Sequence, residues 1–84
     1  MKAKPEWIEQ WQAAPQETIA VIIHVDGDPR DYVPHLKSEG LSVTRAFRLT
    51  QTIAVTGSAQ HFLDLLQSPW IVKIEPDQAI TTMR

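Results

Sequence analysis

The chain contains no cysteine, so neither a disulfide nor a thiolate-bound metal can stabilise it. It has only three glycines and no glycine-rich loop of the kind that cradles phosphates. No apolar run approaches the ~20 residues of a membrane span, and none follows Lys2 and Lys4 as in a secretion signal. We therefore expect no cofactor, no membrane contact and a cytoplasmic chain, although a natural leader absent from this sequence would allow a target outside the cell.

Neither sign of charge is in large excess. Lys and Arg number eight against ten Asp and Glu, which gives a formal net charge of −2. The nearest approach to a basic cluster is the pair Arg45 and Arg48, so we expect no nucleic-acid partner on electrostatic grounds. A chain of 84 residues forms one small domain with a thin core, because it buries only roughly 60% of its unfolded surface.

Groups that could hold a metal or perform catalysis do not assemble in the sequence. Asp26, Asp28 and Asp31 are closely spaced, but a calcium loop needs glycine at its sixth position and glutamate at its twelfth. This chain has Asp31 and Lys37 at those positions. The three histidines fall on different predicted elements, and no serine lies in a nucleophile elbow. We predict no metal site and no enzymatic activity.

Hydrophobic periodicity predicts strand, helix, strand, strand, helix and strand over residues 17–77. A β-branched run covers 17–25, an alternating pattern covers 41–49, and shorter strands are predicted at 51–56 and 70–74. Helices fill the two longer intervals between them. This order is typical of two βαβ units that are joined by a hairpin.

Capping and turn residues mark the ends of these elements. Either Asp28 or Asp31 can begin the first of the two helices, since a proline follows each within the first turn. Gly40 is expected to end that helix. Gly57 is expected to end the third strand, and Ser58 to cap the second helix.

The pattern predicts a ferredoxin-like α+β sandwich, with a four-stranded antiparallel sheet and two helices on one face. Residues 1–16 form a separate N-terminal extension, in which Trp7, Ile8 and Trp11 share one side of a short helix. The uncovered sheet face is predicted to carry small, flat and partly apolar side chains: Ala20, Ile22, His24, Thr44, Ala46, Thr52, Ala54, Thr56 and Lys73. A face of that character usually meets a partner.

Three segments resemble the inhibitory propeptide domain of subtilisin-like serine proteases, a family that includes free-standing inhibitors. They are Gly40-x-x-Val43-x-x-x-Phe47, the helix end Leu66-Gln67-Ser68-Pro69, and the run Ile71-Val72-Lys73-Ile74-Glu75-Pro76-Asp77, which is the most specific. With the first strand, the resemblance covers about residues 17–83. It implies an inhibitor or folding-assistant-like partner of a subtilisin-family protease.

The resemblance also implies residue roles. Glu75 and Asp77 match the two acids that cap the N-termini of two protease helices, where unpaired N–H groups and partial positive charge favour carboxylates. The C-terminal segment 78–84 would lie in the substrate cleft as a product does. Met83 would then occupy the specificity pocket, with Thr82, Thr81 and Ile80 in the preceding subsites. Arg84 would be one residue too many, or the remnant across the scissile bond.

Two other functions stay open at this stage. The domain could be an interaction module that pairs two copies or binds an unrelated protein through the sheet face and the N-terminal tryptophans. Its interface would include Trp7, Trp11, Ala46 and Ala54, whereas the tryptophans could equally be core residues. A small-ligand regulatory domain is disfavoured, because the glycine-rich or charged loop of such domains is missing.

Overall fold

The computed structural model describes residues 2–77 and confirms the predicted ferredoxin-like α+β fold. Its four strands form one antiparallel sheet in the order β2-β3-β1-β4, so β1 and β3 are central. Three helices complete the fold, one of them in the N-terminal extension. In chain order the elements are α1 (Pro5–Ala13), β1 (Thr18–Val25), α2 (Pro29–Ser38), β2 (Ser42–Phe47), β3 (Thr52–Ser58), α3 (Ala59–Leu65) and β4 (Ile71–Pro76).

The core lies between the sheet and the helices. Along β1, the side chains of Val21, Ile23 and Val25 are buried, and the intervening Ile22 and His24 are half-buried on the other face. Helix α2 packs against β2, and α3 packs against β3. The core cluster consists of Ala3, Trp11, Val21, Ile23, Val25, Leu36, Leu41, Ile53, Val55, Ala59, Phe62, Leu65, Ile71 and Ile74.

The ends of α2 follow from two residues. Asp28 is the N-cap and accepts a hydrogen bond from the Arg30 backbone N–H at 3.0 Å, so the helix begins here and not at Asp31. Gly40 has φ of 88°, and its N–H donates to the Lys37 carbonyl while the Leu41 N–H donates to the Leu36 carbonyl. This pair of bonds is the Schellman motif that the glycine predicted.

Strand β3 does not end at Gly57, contrary to the sequence prediction. Gly57 pairs with Ile19 of β1, and the strand continues to Ser58, which caps α3. A Cβ atom at Gly57 would collide with the side chain of Leu41 and touch that of Phe62. The glycine therefore serves close packing beneath the strand rather than a turn.

The N-terminal segment is part of the core on the helix side of the sheet. Helix α1 packs against α3, and the Trp11 side chain is only 4% exposed. Ahead of α1, the Lys2 carbonyl accepts a hydrogen bond from the Ile74 N–H at 2.8 Å, at the outer edge of β4. The open face of the sheet is therefore not covered by α1. None of the helices formed by residues 2–77 is long and apolar enough to span a bilayer.

Candidate partner-binding surface

The sheet face opposite the helices, here called the open face, is built from side chains that pair directly across the strands. Residues opposite each other in an antiparallel pair point to the same side of the sheet. The register joins His24 to Thr52 and to Lys73, and Ile22 to Ala54 and to Glu75. On β1, β3 and β4 the open face therefore carries Ala20, Ile22, His24, Thr52, Ala54, Thr56, Lys73 and Glu75, in agreement with the alternation of the sequence.

Strand β2 contributes different residues from those that its period-two pattern predicted. Val43 pairs with Val55, but Arg45 pairs with Ala54, so Thr44 is an extra residue in a β-bulge. The bulge moves every later side chain to the opposite face. Arg45 and Phe47 therefore lie on the open face, with the Arg45 guanidinium carbon 5.8 Å from the Phe47 ring centroid.

Of the two alanines predicted at the interface, Ala54 lies on the open face and Ala46 does not. Ala46 pairs with Ile53 and so lies on the helix side of the exposed edge strand, not on the open face. Ala54 does lie on the open face, but it is only 9% exposed because its methyl group is shorter than its cross-strand neighbours Ile22 and Arg45. A docked partner would rest mainly on these taller neighbours.

Two exposed large apolar side chains lie at the β2–β3 hairpin, beside this surface. Phe47 is 39% exposed and Leu49 is 96% exposed. In the hairpin, Gln51 adopts φ of 56°, and its N–H donates to the Arg48 carbonyl. Exposed large apolar side chains beside an open sheet face are typical of an interaction surface.

One polar contact crosses the open face between β1 and β4. The Nε2 atom of His24 lies 2.6 Å from the Oε2 atom of Glu75, and the two side chains are 27% and 34% exposed. Glu75 sits diagonally across the ladder from His24, within reach of a long side chain. This contact holds the Glu75 carboxylate in one orientation near the end of β4.

Asp77 follows β4 directly, and its backbone N–H donates to the Ala20 carbonyl at 3.0 Å. The two acids that the resemblance selects, Glu75 and Asp77, thus stand at one end of one edge strand. Ile80, Thr81, Thr82 and Met83 lie outside the described residues, as does Arg84.

The N-terminal tryptophans pack against the core of their own chain. Trp11 is buried in the core of its own chain, which corrects its assignment as an interface residue. Trp7 is half-buried against the same core, and the Lys4 ammonium nitrogen lies 5.1 Å from its ring centroid. A nine-residue helix is marginal alone, so these side chains are needed to dock α1.

Trp70, in the loop before β4, packs against α2. Its ring stacks on Tyr32 with centroids 4.4 Å apart and an interplanar angle of 6°, and His35 meets it edge-on. The Tyr32 hydroxyl donates to Asp26 at 2.8 Å, and this bond raises the pKa of Tyr32. The aromatic stack anchors the loop before β4 to the helix layer.

The Asp28 carboxylate caps α2 and pairs with Arg30. Its carboxylate accepts from both the backbone and the guanidinium of Arg30, and these hydrogen bonds lower the pKa of Asp28 and raise that of Arg30. Within residues 2–77, no three His, Cys, Asp or Glu side chains are grouped so that they could hold a metal ion.

Two features of the open face were missed by sequence reasoning. Arg45 interrupts the apolar side of an alternating strand, and this interruption was a usable sign of a bulge. The His24–Glu75 contact required the register between β1 and β4, which no local pattern supplies. No protein-family model and no curated protein matches the chain.

Proposed function

We propose that this protein is a non-catalytic partner of a subtilisin-family serine protease, acting as an inhibitor or folding assistant. The observation that carries the proposal is the open face, which α1 leaves uncovered and which borders the two acids Glu75 and Asp77. The resemblance in the segment from Ile71 to Asp77 supports the choice of protease class.

The acids offer the electrostatic part of the interaction. A helix N-terminus carries unpaired N–H groups and partial positive charge, so a carboxylate placed against it is stabilised. His24 fixes the side chain of Glu75 before binding, which reduces the entropy lost when a partner helix docks there. Charged contacts of this kind set orientation and specificity more than affinity.

The four strands alone give the open face a smaller area than a standard protein interface. Four strands at a ~4.8 Å spacing and about five residues at ~3.3 Å each cover roughly 320 Å² in projection. A standard interface buries about 800 Å² on each partner. Residues 78–83, if extended at ~3.3 Å per residue, would reach about 20 Å and supply additional contact in the protease cleft.

Inhibition would come from occupancy of the cleft without turnover. Met83 would fill the specificity pocket, with Thr82, Thr81 and Ile80 in the preceding subsites, so that the C-terminal segment lies as a cleaved product does. The docked sheet face keeps that segment at a high effective concentration beside the active site. Arg84 would be removed by cleavage after Met83.

Inhibition of a broad-specificity subtilisin tests this proposal. We expect the intact chain to inhibit hydrolysis of a small chromogenic peptide, and a chain shortened by residues 81–84 to lose inhibition while keeping its thermal midpoint. Replacing Glu75 with Gln and Asp77 with Asn should weaken inhibition by at least about tenfold, since a hydrogen bond to a charged group contributes about 1.5–3 kcal/mol and about 1.4 kcal/mol is a factor of ten. The exposed Glu39, replaced with Gln, is the matched control. Absence of inhibition by the intact chain at 100-fold excess would reject the proposal.

A second candidate is self-association through the same face, favoured by the exposure of Phe47 and Leu49. The buried Trp11 would take no part in such a dimer. Sedimentation velocity over a hundredfold concentration range separates the two candidates. A monomer throughout excludes the dimer, whereas a dimer that dissociates when Phe47 is replaced with Ser supports it.

A further inference from the structure

A cleft with a cavity volume of about 230 Å³ lies beside the outer edge of β4, at the opposite edge of the sheet from β2. One wall is the N-terminal segment that precedes and begins α1, and the other is a side chain of β4. The lining residues are Lys2, Ala3, Lys4, Pro5, Trp7 and Lys73.

The walls of the cleft are held in place from both sides. The Ile74 N–H donates to the Lys2 carbonyl at 2.8 Å, and the Lys2 ammonium group donates to the Ser68 carbonyl at 2.6 Å. Ala3 is buried in the core cluster, and Trp7 packs against that cluster. The cleft is therefore formed by ordered main chain and packed side chains.

Positive charge is concentrated at this cleft. Three of the chain's eight Lys and Arg residues line it, although the chain as a whole has a net charge of −2. No carboxylate is among the lining residues in the described part of the chain. Within residues 2–77, none of the three lysines forms an ion pair, so the cleft attracts an anion.

The remaining lining is apolar and includes an aromatic face. Trp7 offers an indole ring, and Ala3 and Pro5 add aliphatic surface. The volume equals about eight waters at ~30 Å³ each and lies below the ~300–1,000 Å³ of sites for drug-sized ligands. One aromatic ring with a short carboxylate arm matches both this size and this chemistry.

We propose that the cleft binds small arylalkyl carboxylates, with the carboxylate between the lysine ammonium groups and the ring against Trp7. Ammonium-to-carboxylate hydrogen bonds are charge-assisted, and an aromatic pair adds to the area that is buried. This site does not depend on the proposed protease partner, and its test uses no protease.

The test is a titration of the full chain with 3-phenylpropionate, followed by the indole N–H signal of Trp7 in two-dimensional NMR. We expect a saturable shift with a Kd of about 1–10 mM, as for a ligand of this size. The uncharged 3-phenylpropionamide and inorganic phosphate should each bind at least about fivefold more weakly. The amide lacks the negative charge, and phosphate lacks the aromatic ring.

Variants assign the contacts. Lys73→Gln and Lys4→Gln should each raise the Kd about threefold, which is typical of one exposed charge pair, and Lys37→Gln on α2 should leave it unchanged. Unchanged positions of the remaining backbone signals would show that each variant is folded. The proposal is overturned if the amide shifts Trp7 as strongly as the acid, if phosphate alone competes equally, or if the Lys4 and Lys73 variants bind like the parent.

Discussion

Replacing Trp11 with alanine measures how far the N-terminal helix α1 belongs to the core. The side chain is 4% exposed and joins α1 to the core cluster. Truncation of a buried Trp or Phe to alanine costs about 3–5 kcal/mol. Because a nine-residue helix hardly survives undocked, the loss is limited by the docking free energy of α1, and we expect a value near 3 kcal/mol.

Thermal unfolding followed by circular dichroism checks this value. For a domain of this size, 1 kcal/mol corresponds to about 4–8 °C, so Trp11→Ala should lower the midpoint by about 12–24 °C. Gln12→Ala, an exposed change on the same helix, should move it by less than about 4 °C. A Trp11→Ala midpoint within about 4 °C of the parent would refute the integral role of α1.

Three further changes test the packing and the capping contacts. Gly57→Ala should lower the free energy of unfolding by about 1–3 kcal/mol, because the new Cβ atom collides with the side chain of Leu41. In urea unfolding, the double variant with Leu41→Ala should lose less than the sum of the two single losses, and full additivity would contradict the collision. The raised pKa of Tyr32 contributes stability that is present below the ordinary tyrosine pKa of about 10 and is lost as pH rises through the folded value. Tyr32→Phe should therefore make the urea midpoint depend less on pH between pH 9 and 11. The lowered pKa of Asp28 contributes stability that is present above the ordinary aspartate pKa of about 4 and is lost as pH falls through the folded value. Asp28→Asn should therefore reduce the slope of the urea midpoint against pH on the acid side, and an unchanged slope would contradict this.

The element order and the fold could be predicted from the sequence because they depend on local periodicity and on caps. Ser58 and Gly40 act at the helix ends where their residue types indicated. Both signals operate within a few residues of chain, where spacing alone carries the information.

The details of the open face depend on long-range register, which local patterns do not determine. A period-two pattern in β2 assumes a constant register. The bulge at Thr44 exchanges the two faces for the residues that follow, so Phe47 lies on the open face and Ala46 lies on the helix side. The residue type of Gly57 predicts a strand end, whereas the glycine packs against Leu41 within β3, and such a tertiary contact leaves no local signal. The stacking of Trp70 on Tyr32 is also a tertiary contact, which local patterns do not determine.

The proposed function requires a protease to dock on the open face. The most direct test is the Kd for a catalytically inactivated subtilisin, measured by isothermal titration calorimetry with the parent chain and with Phe47→Asp. We predict a parent Kd of about 1 μM or lower and at least tenfold weaker binding by the variant, with its thermal midpoint within about 4 °C of the parent. Equal affinity of the two chains, or no binding by the parent at ~100 μM, would contradict the account.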